Sequence, residues 1–291
     1  MREWIWRHFR FELPDDWEML QYSRRLDAGR CAMADRYQYR LEFNWKEFDT
    51  APDFDRTLSD YRHDLERAGD AKATSEHVAG WRGLRVDGPD ALTTRFGRYF
   101  KEVKCLLEVV LIWPDKVDAD LTRSILERAG VAPVANGVST WRAFGMTMQP
   151  ASDLKLQRCE VEPARAMLDF RRDRDSPLGE TFERLGMVDH WLKGDVGQWL
   201  TARTPRQVRD AQHGTHHRDG HQVHEFAGRY IDGRLKRLLA RSPDYASAAW
   251  RCPHDGRLYA MTRIGRKRPS SNTQAHDHTP LACCLAMEHR K

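Results

Sequence analysis

The chain of 291 residues lacks any apolar run approaching the roughly eighteen residues that a membrane helix needs. Its opening, Met1-Arg2-Glu3-Trp4-Ile5-Trp6-Arg7-His8, has neither the apolar core nor the small-residue cleavage site of a secretory signal. The expectation is a cytoplasmic protein with no membrane partner. Cysteine is sparse: six residues, at positions 31, 105, 159, 252, 283 and 284, form no close-spaced framework and contain no C-x-x-C. That excludes a disulfide-stapled secreted scaffold and predicts reduced thiols. The known enzyme signatures are missing too. There is no G-x-G-x-x-G after a strand, no G-x-x-x-x-G-K-[ST], no G-x-S-x-G and no H-E-x-x-H, since His224-Glu225 has no second histidine four residues on. No catalytic residue is assigned, and the expectation leans away from an enzyme. Charge of one sign is also short, with 48 Lys and Arg against 43 Asp and Glu leaving only +5. An excess that small, spread along the chain, does not imply nucleic acid as a partner.

What is present suffices to fold. A 40% hydrophobic content with ten tryptophans can build real cores, and the length suits two domains. The chain partly repeats itself. Trp6-Arg7-His8-Phe9 recurs as Trp141-Arg142-Ala143-Phe144, Pro14 as Pro150, and Ala32-Met33-Ala34-Asp35 as Ala166-Met167-Leu168-Asp169, at offsets of 135, 136 and 134. A duplication follows, with the boundary in 131–139, where Pro133, Asn136 and Gly137 fall. Residues 1–134 are the expected first domain and 135–291 a diverged second copy with a polar loop over 265–280.

In the first half Phe9, Phe11 and Leu13 alternate with polar residues. Tyr37, Tyr39, Leu41, Phe43 and Trp45 then mark a strand with one solvated face. Phe54, Leu58, Tyr61, Leu65 and Ala68 follow at helical spacing. Strands resume to Cys105–Trp113, an apolar run suited to a central strand, and Asp118–Ala129 reads as a last helix. The second half predicts strands, then a helical stretch over Phe182, Leu185, Val188, Leu192, Val196 and Trp199, bent or broken by its glycines, then strands again. The fold class read from this order is α+β: two similar domains, each a twisted antiparallel sheet flanked by helices. The opening Phe9-Arg10-Phe11-Glu12-Leu13-Pro14-Asp15-Asp16-Trp17, the helix over Phe54–Ala68 and the glycine-led strands Gly80-Trp81-Arg82-Gly83-Leu84 and Gly220-His221-Gln222-Val223-His224-Glu225 resemble the α/β/α domain of the Mog1 and PsbP group, as a tandem pair. That resemblance implies a class of adaptors without a shared enzymatic activity, and no partner-binding motif carries over.

Nine of thirteen histidines lie after residue 212. Asp219-Gly220 between two strand-like runs signals a two-residue hairpin turn, which pairs 217 with 222, 215 with 224 and 213 with 226. Alternation then puts His213, His217 and His224 on one face, a possible three-histidine zinc site, and His216 and His221 with Glu225 on the other. The competing reading is a solvated hairpin. A second metal candidate is Cys252 with His254, near His276, His278, Cys283 and Cys284, although no ligand pair has finger spacing. The adjacent cysteines also read as small core hydrophobes, in a terminal helix or a strand completing the second sheet. Arg263, Arg266, Lys267 and Arg268 offer an anion or partner contact or a merely solubilising loop, and Trp4 and Trp6 a partner surface or packing across the interface between the two domains. The leading expectation is a non-catalytic adaptor or accessory subunit that binds another protein through an inter-domain groove or a sheet edge, without a cofactor. The rival is a zinc-binding protein, possibly a hydrolase, centred on His213, His217 and His224.

Overall fold

The computed structural model describes residues 1–25, 27–68, 72–88, 91–231, 242–265 and 280–283. The chain separates into two compact units, Met1–Pro133 and Val134–Lys291.

In the first unit β1 (Arg2–Trp6) and β2 (Phe9–Leu13) make a hairpin, followed by β3 (Glu18–Tyr22), β4 (Ala28–Ala34) and β5 (Tyr39–Glu47). Helix α1 (Phe54–Ala68) leads to β6 (Lys72–Val78), β7 (Trp81–Asp87), β8 (Leu92–Phe100) and β9 (Cys105–Trp113). Helix α2 (Ala119–Arg128) and the short β10 (Gly130–Val131), which pairs with β2, close the unit. Strands β3 to β9 form one antiparallel sheet in the order β3-β4-β5-β9-β8-β7-β6.

The second unit opens with β11 (Val134–Ala135) and β12 (Val138–Ser139), then a hairpin of β13 (Trp141–Ala143) and β14 (Met146–Met148). Next come β15 (Lys155–Glu162), β16 (Arg165–Arg171) and β17 (Gly179–Leu185), then the short helices α3 (Val188–Trp191) and α4 (Val196–Arg203). Strands β18 (Val208–Arg218), β19 (His221–Tyr230), β20 (Asp244–Arg251) and β21 (Leu258–Gly265) follow, and β22 (Leu281–Cys283) pairs with β14. The large sheet runs β15-β16-β17-β21-β20-β19-β18. The two halves therefore repeat one design: a hairpin, three strands, a helical crossing to the far edge of the sheet, and four strands returning to the middle.

The α+β expectation is overturned. Among the described residues 55% lie in strands and 15% in helices, so the fold is β-rich. The physical reason lies in what covers each large sheet. In the first unit the aromatic faces of β1 and β2 pack on it, with Phe11 4.7 Å from Phe43 and Phe9 5.5 Å from Phe100 between ring centroids. In the second, Trp141 of β13 meets Phe170 at 5.0 Å. Such aromatic pairs contribute about 0.5–1.5 kcal/mol beyond the area they bury. A hairpin thus takes a face where a flanking helix was expected.

Other expectations shift in detail. The helical stretch read over residues 182–199 starts as a strand: Phe182 and Leu185 belong to β17, and only Val188–Trp191 and Val196–Arg203 are helical. The alternation beginning at Tyr37 starts too early, since Tyr37 is 83% exposed while Leu41, Phe43 and Trp45 are buried. The Trp6/Trp141 match is two residues out of structural register. The hairpin turns are Arg7-His8 and Phe144-Gly145, so Trp4, three residues before its turn, stands where Trp141 does. A slip of two preserves the face, which is why the match survives as sequence.

Trp81 on β7 is wholly buried and its indole N–H donates to the carbonyl of Leu126 at 3.0 Å, tying α2 to the sheet. Replacing Trp81 with Phe keeps most of the ring volume but strands that carbonyl. We expect a loss of about 1–3 kcal/mol, read from the denaturant midpoint at unchanged slope.

Candidate metal centre

Asp219 and Gly220 adopt φ of 45° and 76°, the left-handed pair that a two-residue hairpin turn requires. The pairing follows as the sequence predicts, with His217 opposite Gln222, Thr215 opposite His224 and His213 opposite Phe226. This register decides which histidines face inward. Val223 and Trp250, paired across β19 and β20, are buried on one face, and His221 lies on that face with them.

His221 meets two cysteines there. Cys252 follows β20, held by its N–H donating to Arg257 O at 2.8 Å and by Gly256 N–H donating to its carbonyl at 2.9 Å. Cys283 ends β22, opposite Met146. One ligand atom from each of His221, Cys252 and Cys283 lies within 4.8 Å of the other two. His221, Cys252 and Cys283 are 4%, 0% and 1% exposed. The His221 Nε2 to Cys283 Sγ distance is 3.5 Å. In a tetrahedral zinc site with bonds of about 2.0–2.3 Å, the ligand-to-ligand edges are roughly 3.3–3.8 Å, so the trio stands close to coordinating distance.

The imidazole is also set for ligation. His221 Nδ1 lies 2.8 Å from the Asp219 carbonyl oxygen, which can only accept, so Nδ1 carries the proton and Nε2 presents a lone pair to the thiols. A metal-bound histidine is usually oriented in this manner by its second nitrogen. Around the trio, His254 stands with its ring 6.2 Å from that of His221, and Trp250 meets the same ring edge-on at 6.4 Å. Tyr259 stacks on Trp250 and its hydroxyl donates to Asp255 Oδ2 at 2.7 Å. Burial, reinforced by that carboxylate, pushes the Tyr259 phenol well above its ordinary range, so it stays a donor. The second Asp255 oxygen accepts from the Arg257 N–H at 3.0 Å.

No protein-family model matches the chain, and no curated protein matches it. The reading of the site therefore rests on its geometry.

The sequence candidates fare unevenly. His213, His217 and His224 share a face, but the structure does not bring the three to one point. The backbones of His213 and His217 stand about 13 Å apart along the strand, and among the described residues the three imidazoles do not gather their nitrogens around one point. Instead His213 stacks on His224 at 5.8 Å and touches Phe226 at 6.0 Å. Helix α4 presses on this pair: a Cβ at Gly197 would come within 2.8 Å of His224 Nδ1. Cys252 does reach the centre, with Cys283 and with His221, which the sequence reading had left on the unassigned face. Arg263 lies within β21, between Glu180 and Ala246, and not in a loop. Arg266, Lys267, Arg268, His276, His278 and Cys284 lie outside the described residues. Trp4 and Trp6 are buried, at 3% and 1% exposure, and present no contact surface. The signal that could have found the trio was parity: His221 shares a strand face with Val223.

Burial holds the His224 imidazole below its ordinary value of 6.5; nearby Asp195 opposes this and His213 adds to it. The unfolded chain therefore takes up a proton there first as pH falls. The contribution of His224 to stability is intact above pH about 6.5 and is lost as pH drops through the lower folded value. Melting curves between about pH 7.5 and 5 should show this loss, and H224Q should lessen it.

Proposed function

We propose that the second unit is a metal-binding module that takes one zinc ion through His221 Nε2, Cys252 Sγ and Cys283 Sγ, with His254 as the fourth ligand, and that the ion's role is to hold the fold. The observation that carries this is the buried trio with its imidazole already oriented by a backbone carbonyl. Two thiolates and an imidazole are a donor set zinc favours, and a closed four-ligand site is structural. A hydrolase would need a base beside a metal-bound water. Among nearby carboxylates, Asp255 has both oxygens taken up, by Tyr259 and Arg257. Burial of Trp4 and Trp6 removes one contact surface that the adaptor reading offered. We also infer that the repeated halves arose by tandem duplication, as the internal sequence matches and the shared strand order support, and that only the later copy acquired the metal ligands.

Metal content of the full chain, produced without a histidine tag, tests this. About one zinc per chain is expected, and cobalt substitution should give the intense visible bands of a tetrahedral thiolate site. H221Q, C252S and C283S should each lose the ion and lower the melting temperature, while H217Q retains it. A chain that folds normally and takes up no zinc when zinc is supplied would reduce the Cys283–His221 contact to a thiol hydrogen bond and end the proposal.

A further inference from the structure

Helix α1 occupies the same place in the repeat as α3 and α4, but it packs differently. In the second unit Val188 and Leu200 are buried against Ala249, Leu258 and Ala260 of the sheet. Arg203 reaches down to the buried Glu183 at 2.6 Å. In the first unit none of the described side chains of α1 is buried: Phe54, Leu58, Tyr61 and Leu65 are all half-exposed. An apolar stripe ordinarily seals against its sheet. Here it faces Asn44, Arg95 and Glu108, and a groove of about 660 Å³ stays open between helix and sheet.

The groove's chemistry has two parts. Phe54, Leu58, Tyr61 and Leu106 make one wall apolar. The remaining lining includes five cations, Arg25, Arg30, Lys46, Arg82 and Arg95, against one carboxylate, Glu108. Some of that charge is met from outside the groove, since Asp27 pairs with Arg25 and Asp55 with Arg82. These are exposed pairs, which hold their partners only weakly. Arg95 lies flat over the Tyr61 ring at 4.6 Å and touches Glu108 at 3.4 Å. Glu108 also accepts from Asn44 at 2.9 Å. A guanidinium has five N–H donors, more than one carboxylate at that distance takes up. The volume falls within the range of about 300–1,000 Å³ typical of small-molecule sites, which are mostly apolar with a few placed polar groups.

We propose that this groove binds a small organic anion, its apolar body lying along Phe54, Leu58 and Tyr61 and its acidic group meeting Arg95 and Arg82. The site belongs to the first unit and stands independently of the metal centre in the second. With Asn44, Arg95 and Glu108 on the facing strands, the apolar stripe of α1 is only partly covered by the sheet, and such a ligand supplies further apolar contact together with negative charge.

The test uses two fluorescent probes of nearly equal shape on the full chain: 8-anilinonaphthalene-1-sulfonate, an anion, and N-phenyl-1-naphthylamine, which lacks the sulfonate. One sulfonate probe should bind per chain, at least about tenfold more tightly than the neutral probe. R95Q should remove most of that preference without weakening the neutral probe, and R82Q should do so in part. T57W, on the exposed edge of the helix, should fill the groove and exclude both probes. Circular dichroism and melting curves confirm that each variant is folded, and R82Q serves where R95Q is not. Equal affinity for the two probes, unchanged binding by T57W, or no saturable binding at millimolar probe would each overturn the proposal.

Discussion

A seven-stranded antiparallel sheet has two faces, and whichever is apolar must be covered. In both halves of this chain one face takes aromatic side chains from a preceding hairpin and the other takes the helical crossing between the third and fourth strands. Everything of chemical interest depends on how well those two covers fit. On the hairpin side they fit closely, with Phe11 on Phe43 and Trp141 on Phe170. A polar group that enters this layer costs free energy unless it finds a partner there. His221 is satisfied at Nδ1 by a carbonyl, and at Nε2 it meets sulfur.

The position of His221 follows from two residues of turn. Asp219 and Gly220 can both adopt positive φ at small cost, which fixes a two-residue turn and so the pairing of β18 with β19. A slip of one residue would send His221 to the helix side and bring His217 and His224 inward, exchanging every side chain between the faces. The turn therefore selects which of five clustered histidines enters the layer where the cysteines lie. Composition alone could not make that selection, since the cluster looks alike on both faces.

That hairpin was legible because its signal is local: an Asp-Gly pair and alternation on either side. Strands β5 and β9 were legible for the same reason. The stretch from Phe182 to Trp199 was misread because β17 is covered on both faces, so Phe182 and Leu185 lose the two-residue alternation of a strand and, joined to Val188 and Leu192, imitate a helical period. The β-rich balance was hidden because a hairpin and a helix can cover the same apolar face. The metal trio was illegible for a deeper reason. Its other members sit 31 and 62 residues from His221, one just past β20 and one on β22, which pairs with β14 and not with β19, and spacing rules for ligands see only neighbours in sequence.

This long separation gives an ion at such a site its mechanical meaning. A bond from Cys283 to a centre shared with β19 and the end of β20 closes a loop of some sixty residues. The entropy of leaving such a loop open grows only slowly with its length, so one strong tie fixes the strand as well as a shorter loop would. The first unit has its own helix, α2, in the corresponding stretch of chain, anchored by Trp81 and by buried Ile125 and Leu126. In the first copy apolar helix packing closes the sheet's end; in the second, a buried histidine and two cysteines gather beside it. The same divergence appears on the opposite faces, where α4 seals its sheet with leucine and an ion pair while α1 stands off a polar one.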